Sequence, residues 1–509
     1  MNALRAVIEI GSTGIRLLVA EITSDNKRNI LDRSEQLVNL GRDVFTTGSI
    51  SSQTLHACIR ILSRYVEQLN GWGLKPEDAT VIGTSAVREA DNRDPFLDRI
   101  KIKTGFTVKV IDGIEENRLM YIAVTECLKD ESPSMQKNDS IILEIAGGAT
   151  EMMLMENGRM AAAHSMRLGT VIIEQKIHAL SGNIDDAKRF IGEFILNTRN
   201  NLNIEMNLAK VKRFIAVGGD MKLAAIFAGK PVSPFMWEIQ REDFNNFVNE
   251  VQHYTPEECV ARFKINYNET SIFQISLTAY NLFVQLTNVS SVFVPDISIR
   301  EGVIISSTNH VDETLQAEFN SQIFASASSL LKKYQGDERH AEFVKNVSLK
   351  IYDALQEENG LEAQDRILLE VSAILHDIGM FIQADNHNLH GKYIINNSEI
   401  FGLSREEKAI VAFITCFHKG KIQVSENQEF RLLSRSTRMS ILKLSAILRL
   451  ADALDRSHSQ KLSDFTIHFA QDSITFRIKG HHNLTLEKLA VEEKCDLFEN
   501  VFGYKVVLV

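Results

Sequence analysis

The hydrophobic pattern opens with two short apolar runs, "RAVIEI" and "IRLLVAEI", separated by the small-residue stretch from Gly11 to Gly14. Runs of this length bounded by turn residues predict a buried strand, a tight turn and a second strand returning beside the first. "DSIILEI" and "EMMLME" repeat the pattern around "AGGA". Between the copies the period changes to that of a helix in "SQTLHACIRILSRYVEQL", then to a strand in "ATVIGTSA". A helix in "RDPFLDRIKIKTG", a strand in "FTVKVID" and a helix in "EENRLMYIAVTECL" follow. After the second copy, "AAAHSMRLGTVIIEQKI", a helix around Ala187 to Asn200, and the strand "RFIAVGGD" running into another helix keep the α/β alternation going. "FNNFVNEVQHY" and "SSVFVPDISIREGVII" close this half.

Near residue 310 the texture changes. From about Leu315 to His458 the apolar positions recur with helical period and no strand pattern stands out. Beyond "DRSHSQ", "SDFTIHFAQDSITFRIKG" alternates like a hairpin and "YKVVLV" ends the chain as a strand. The expected organisation is two duplicated α/β domains, 1–125 and 126–308, a helical domain, 309–458, and a small C-terminal α/β domain, 459–509.

Composition fits this division, since 509 residues exceed what one core supports. The five cysteines are scattered and form no CxxC pair, which points to a reducing compartment, the cytoplasm, and to no zinc-finger framework. Glu9 interrupts the only early apolar run, so no signal peptide is expected, and no run approaches membrane-spanning length. A net charge of −10 makes nucleic acid a poor fit as partner. A polyanionic small substrate still fits, because a metal ion and a few arginines can reverse the sign inside a cleft.

The duplicated turn carries the chemistry. Backbone N–H groups in a small-residue turn can converge on an anion, and Glu9 and Glu144, each just before its turn, can hold a divalent cation against phosphate oxygens. Gly218 and Gly219 in "AVGGD" form a third such turn.

"EIGSTGIRL", "GTSAVREADNR", "IDGIEENRLMYIAV", "EIAGGATE", "RLGTV", "AVGGD" and "SIREGVI" stand in the order of the exopolyphosphatase / guanosine pentaphosphate phosphohydrolase family, which this chain resembles over roughly residues 5 to 305. The resemblance implies duplicated ribonuclease H-like (actin-like) domains of the actin–sugar-kinase superfamily. It implies a general base at Glu116, the second acid of the G-x-E-E motif, with Glu115 before it. It makes Arg88 the phosphate-binding arginine, with Arg93 a weaker candidate, and has Ser12, Thr13, Gly147, Gly148, Ala149 and Thr150 line the phosphate turns, with Mg2+ near Glu9 and Glu144. Arg16 reads as structural. Family members are often dimers, so a homodimer is expected.

Three departures stand out. The family usually has Asp where this chain has Glu9 and Glu144. Its D-I-G-G-G-S-T-E is here E-I-A-G-G-A-T-E, with Ala146 for Gly and Ala149 for Ser, and its Asn-Ser in the first turn is here Thr13-Gly14. Each longer acid reaches about 1.5 Å further into the cleft, and the second turn loses a hydroxyl donor.

The helical region adds His340, the adjacent His376 and Asp377 of "ILHDIGMF", and Asp452, an order that resembles the all-helical HD-domain metal-dependent phosphohydrolases. Imidazole and carboxylate suit a second divalent metal. His387, His390 and His418 lie nearby in sequence. Lys332, Lys333, Lys419 and Lys421 are candidates for attracting a long polyanion, although surface lysines are usually only solvated.

The expected function is metal-dependent release of terminal phosphate from polyphosphate or a guanosine polyphosphate. The alternatives are an HD-type hydrolase in the C-terminal half, or a catalytically weakened binder of an alarmone or nucleotide, which the Glu and Ala replacements favour.

Overall fold

The computed structural model describes residues 3–23, 28–129, 137–179, 184–307, 313–355, 360–420, 427–462, 465–478 and 484–509. Lys421 and the expected boundary at 308/309 lie outside the described residues. The chain forms two compact units, 1–318 and 319–509, so the expected boundaries at 125/126 and 458/459 fall inside units.

In the first unit the duplication is visible strand by strand. β1 (Ala3–Ile10), β2 (Gly14–Ile22) and β3 (Arg28–Leu37) form an antiparallel meander, with β4 (Ala79–Gly83) parallel to β1 and β5 (Val108–Val110) parallel to β4. β6 (Ser140–Ile145), β7 (Thr150–Glu156) and β8 (Arg159–Met166) repeat the meander, with β9 (Arg213–Val217) parallel to β6. The second sheet is extended by the antiparallel pair β10 (Lys230–Ser233) and β11 (Met236–Gln240), joined through β12 (Ser291–Pro295), which is parallel to β9. The strand orders are β3-β2-β1-β4-β5 and β10-β11-β12-β9-β6-β7-β8. The central strands read as continuous apolar runs because both faces are covered: Ile8, Ile10, Leu17 and Val19 are fully buried in one core and Leu143, Leu154 and Phe214 in another.

The chain then crosses back. Helix 299–307, after β12, packs on helix 113–127 so closely that a Cβ at Gly302 would lie 2.1 Å from the Leu119 carbonyl oxygen. This return brings Arg300 to the first sheet.

The second unit is helical from its start at 319 to 333, and over 338–354, 363–375, 387–396, 405–417 and 435–453, among its described residues. Its small sheet pairs β13 (Phe465–Phe469) antiparallel to β14 (Ser473–Ile478), and β15 (Lys505–Leu508) parallel to β14. Phe465, Ile474, Phe476 and Phe498 share one core with Val344, Leu375 and Ile447 of the helices. The small C-terminal α/β piece is therefore packed as part of the helical unit.

Candidate active site and metal clusters

The two small-residue turns of the first unit meet. Gly11 N–H donates to Gly14 O at 2.9 Å in one turn, and Ala146 N–H to Ala149 O at 2.9 Å in the other. A Cβ at Gly147 would lie 2.9 Å from Ser12 Cβ and 3.2 Å from Thr13 Cγ2, so only glycine lets the turns touch. Each turn is pinned from behind. Ser12 O and Thr13 O accept from Gly41 and Val38 N–H at 2.7 and 3.0 Å, and Ala146 O and Gly147 O accept from Thr170 and Val171 at 3.0 Å each. Tyr280 OH accepts from Ile145 N–H at 2.8 Å and donates to Val217 O at 2.5 Å. It thereby fixes the turn at Gly218, whose φ of +128° requires glycine.

A cleft of about 610 Å³ opens beside these turns, lined by Glu9, Ser12, Thr13, Glu144, Gly147, Gly218 and Gly219 among others. Its lining also includes the apolar Leu223, Phe263, Ile265 and Ile272, with Asp220, Lys222 and Lys264 among them. Burial raises the Asp220 carboxyl to about 6, with the charge of Glu269 adding to the rise.

The duplication sets the acids. Strand register places Arg16 opposite Glu9 and, at the equivalent position of the second copy, Glu151 opposite Glu144. Directly opposed residues of an antiparallel pair share one face. Glu9 is bracketed by two cations, with Arg16 Nη1 3.5 Å from Oε1 and Arg300 Nε 3.5 Å from Oε2. Arg16 also pairs with Glu35 at 2.8 Å. Glu144 is raised to about 8 by burial and by the charges of Glu9 and Glu116. Glu151 is buried and accepts from Asn117 Nδ2 at 2.8 Å and Ser165 Oγ at 2.7 Å.

Helix 113–127 starts at Asp112, whose side chain accepts from Glu115 N–H at 2.9 Å. The two following acids then point to different places. Glu115 is held by Arg118 at 2.5 and 2.8 Å. Glu116 is buried and meets Arg88, whose Nη1 donates to Glu116 Oε1 and to Ile111 O at 2.6 Å each. Burial raises Glu116 to about 7 despite that guanidinium, with Glu9 adding to the rise.

Not every expected residue faces the cleft. Thr150 is fully buried and its hydroxyl donates to Leu168 O at 2.6 Å, which commits it to the short link between β8 and helix 170–179. A Cβ at Gly148 would lie 2.3 Å from Ser85 Oγ, so Gly148 packs on that side chain. Ala149 is buried at the turn's end, closing it through its carbonyl. Arg93 is bound to Asp94 at 3.2 Å. Arg300, Glu151 and Asp220 were not singled out in the sequence; "SIREGVI" and the last residues of "EIAGGATE" and "AVGGD" carried the signal.

The donor set suits Mg2+. Carboxylate oxygens of Glu9 and Glu144 line one cleft. Carboxyl groups pushed up by one another's charge are what a bound cation relieves.

The second unit gathers its histidines. His340 Nε2 lies 3.2 Å from His376 Nε2, 3.5 Å from Asp452 Oδ1 and 3.9 Å from Asp377 Oδ2. A neighbouring group forms around the other oxygen of Asp377, with His387 Nε2 at 3.2 Å and His418 Nε2 at 3.6 Å from Oδ1. These two imidazole nitrogens are 3.1 Å apart. His390 belongs to neither group. Each Nδ1 faces an oxygen: His340 to Asp455 Oδ2 at 2.8 Å, His376 to Ala373 O at 2.8 Å, His387 to Ala384 O at 2.9 Å and His418 to Thr415 O at 2.5 Å. Lys419 Nζ is more distant from His387 Nδ1, at 3.4 Å. Burial lowers His376 to about 4. His340 is raised to about 9, because Asp452 and Asp455 outweigh its burial. Burial works to raise Asp377, yet His376, His387 and His418 hold it well below the usual carboxylate range. Lys494 pairs with Asp452.

Residues 18–311 match the Ppx/GppA phosphatase family, and residues 324–499 match domain III of Ppx/GppA phosphatases. The guanosine-5'-triphosphate,3'-diphosphate pyrophosphatase of Photobacterium profundum is 24% identical over 490 residues, covering 94% of this chain and 92% of its own length. The protein of that name from Vibrio parahaemolyticus is 22% identical and covers 96% of each chain. Among solved structures, an exopolyphosphatase from Cytophaga hutchinsonii superposes with a TM-score of 0.53 at 20% identity, over 59% of this chain and 96% of that one. A Ppx/GppA family member from Aquifex aeolicus gives 0.50 at 22% identity, over 62% and 99%. These superpositions bear out the duplicated actin-like fold. Among the described residues no helix is long and apolar enough to cross a membrane.

Proposed function

The chain belongs to the Ppx/GppA phosphatase family, and we propose that it releases the terminal phosphate of a guanosine polyphosphate or of linear polyphosphate by attack of water oriented by Glu116. One observation carries this reading: the touching turns share a cleft with Glu9 and Glu144, and the charges of these acids reach a buried Glu116 held by Arg88. A carboxyl raised to about 7 is matched to taking a proton from water near neutral pH. Backbone N–H groups of the turns, from Ser12, Thr13 and Gly147, receive the phosphoryl oxygens. Water forms the new P–O bond, its proton passes to Glu116, and the bond to the bridging oxygen breaks, leaving inorganic phosphate and a chain one phosphate shorter. Arg88 steadies the carboxylate and the charge beside it. Glu9 and Glu144 would hold Mg2+, which when bound supplies charge neutralisation for the phosphate oxygens.

The apolar side chains in the cleft lining, Leu223, Phe263, Ile265 and Ile272, with Asp220 and Lys222 beside them, favour the nucleotide over the plain chain. Apolar surface with a few polar groups suits a base and ribose better than a phosphate run. The reading includes a cytoplasmic address, supported by five free thiols, and a homodimer, supported by the family resemblance. It also includes a second divalent metal in the helical unit at His340, His376, Asp377 and Asp452, whose imidazole and carboxylate donors converge. That cluster keeps HD-type hydrolysis as a second reading.

Phosphate release from guanosine pentaphosphate and from long-chain polyphosphate, with Mg2+, tests the proposal. Wild type releases phosphate and Glu116→Gln loses at least a hundredfold. Equal rates in the two proteins overturn the assignment.

A further inference from the structure

Two helices stand behind the touching turns, one from each half of the duplication. Helix Leu40–Thr47 follows β3, and its Gly41 N–H holds Ser12 O of the first turn at 2.7 Å. Helix Thr170–Ala179 follows β8, and its Thr170 and Val171 N–H groups hold Ala146 O and Gly147 O of the second turn at 3.0 Å each. The residue after Gly41 and the residue a helical turn beyond Val171 meet. Arg42 grips Glu174 with Nε 3.2 Å from Oε2 and Nη2 3.0 and 2.9 Å from Oε1 and Oε2. Gln175 Nε2 donates to Arg42 O at 2.8 Å, a further bond between the same two helices. The Ser271 hydroxyl donates to Glu174 Oε1, and Arg42 Nη2 donates to Asn268 O at 3.2 Å. The Glu174 side chain is 3% exposed, so its charge is out of water and depends on Arg42 for a partner. Other pairs that cross between the halves, Arg33 with Asp296 and Arg167 with Glu89, have exposed arginines that solvent screens.

We propose that Arg42 and Glu174 are a positioning pair for phosphate binding: they lock helix Leu40–Thr47 to helix Thr170–Ala179 and so set the gap between the two turns that receive one phosphoryl group. The inference rests on the reading of the cleft given above and extends it to residues that do not line the cleft. A planar guanidinium lying on a carboxylate fixes both separation and direction, which a point charge does not. Each helix holds its turn through backbone hydrogen bonds, so a shift between the helices is passed to the turns. Turns moved apart hold phosphate oxygens less well before reaction as well as during it. Loss of the pair therefore shows as weaker phosphate binding, which a smaller number of folded molecules does not produce.

Phosphate release by the full-length protein from guanosine pentaphosphate and from long-chain polyphosphate, with Mg2+ and with inorganic phosphate as a competitive inhibitor, tests this. Arg42→Met keeps the stem and removes the charge, and Glu174→Gln keeps the shape and an acceptor for Ser271. Each is expected to raise the Ki of inorganic phosphate and to lower kcat/KM by about 10–100-fold. Arg42→Lys should fall in between, since an ammonium restores the charge but not the fork. The two residues form one contact, so Arg42→Met combined with Glu174→Gln should lose no more than the worse single variant. KM and Ki do not depend on the amount of active enzyme, so a merely structural role would lower the apparent kcat and leave both unchanged. Thermal melting checks that each variant is folded at the assay temperature, and Arg42→Lys carries the test if Arg42→Met is not. Unchanged Ki and KM in the single variants, or losses that add in the double variant, overturn the pair. A wild type that releases no phosphate from either substrate would sink the reading of the cleft and this inference with it, whereas an active wild type with unaffected variants sinks the pair alone.

Discussion

Arg88 Nη1 is 2.6 Å from Glu116 Oε1 and equally far from Ile111 O, so a backbone carbonyl anchors the guanidinium that holds the carboxylate. Turning Glu116 out of this position would leave a half-buried cation short of its partner. Glu116→Gln preserves the shape and an oxygen for Arg88 but cannot take a proton. It is expected to lower kcat by about 10²–10⁴ with little change in KM. Arg88→Lys keeps the charge but cannot grip both oxygens, and should lower kcat as well. Steady-state phosphate release measures both, and a Glu116→Gln enzyme with wild-type kcat would remove the residue from the chemistry.

The pH profile follows from the same pair. The active form of Glu116 is the carboxylate, and burial has moved its carboxyl to about 7. With the active form deprotonated, log(kcat/KM) should climb with a slope of one as pH rises, then level off above about 7. A cation held by Glu9 and Glu144 favours the carboxylate and moves the midpoint lower. A profile flat from pH 5 to 8 that Glu116→Gln leaves unaltered would contradict the assignment.

Stability should respond in the opposite sense. Glu144 at about 8 and Glu116 at about 7 both stand above an unfolded glutamate. Between about pH 4.3 and these values the native state binds more protons than the unfolded chain, so stability falls as pH rises. The contribution is whole below the unfolded value and lost once pH passes the folded one. In chelator, Tm is expected to drop from pH 5 to 8 by more in wild type than in Glu144→Gln. Millimolar Mg2+ should remove most of that difference, since it binds the native carboxylates. Parallel curves for the two proteins would show that Glu144 carries no such strain.

The sequence made the strand–turn–strand units legible because their apolar runs are uninterrupted and their turns are small residues. β3, "RNILDRSEQL", escaped because it is an edge strand paired only to β2, largely exposed and mostly polar, so it has no apolar run to find. Edge strand β10, exposed throughout, escaped for the same reason, and β11 beside it is a run of only five residues. Glu116 could be separated from Glu115 only by resemblance, since both begin one helix. What distinguishes them is that Glu115 meets Arg118 on the same helix and Glu116 meets Arg88 from another element. Arg300 reaches Glu9 only because the chain crosses back after β12, which no local pattern announces. Asp455 and Lys494 escaped because their partners, His340 and Asp452, are distant in sequence.

The contact between the turns gives a fourth expectation. A methyl group at position 147 would sit 2.9 Å from Ser12 Cβ, closer than side-chain carbons approach. Gly147→Ala should therefore push the turns apart and cost about 1–3 kcal/mol of stability. Moving the phosphate-facing N–H groups by a fraction of an ångström should lower kcat/KM on the order of a hundredfold. Denaturant melts and phosphate release read the two effects. A variant with unchanged kcat/KM would mean that the turns do not act together on one phosphoryl group.

The helical unit depends on one buried arginine. Arg449 is 3% exposed, and its guanidinium joins four acceptors from two parts of the unit. It donates to Phe417 O at 3.3 Å and Gly420 O at 2.6 Å, at the end of the helix that precedes His418. It also donates to Lys494 O at 3.3 Å and Asp496 Oδ1 at 3.0 Å, in the C-terminal piece. Replacing it by Met fills the space and leaves those carbonyls without their donor. Asp496 suffers little, because its side chain is 59% exposed. Arg449→Met is expected to destabilise the unit by about 2–5 kcal/mol, with Arg449→Lys in between because an ammonium reaches fewer of the four acceptors. The same change loosens the segment whose Lys494 pairs with Asp452, so divalent metal held at the proposed site of His340, His376, Asp377 and Asp452 should fall along with stability. Calorimetric melting and metal counting on the full chain decide it. A Met variant as stable as wild type would show that the C-terminal piece is held by its apolar core alone.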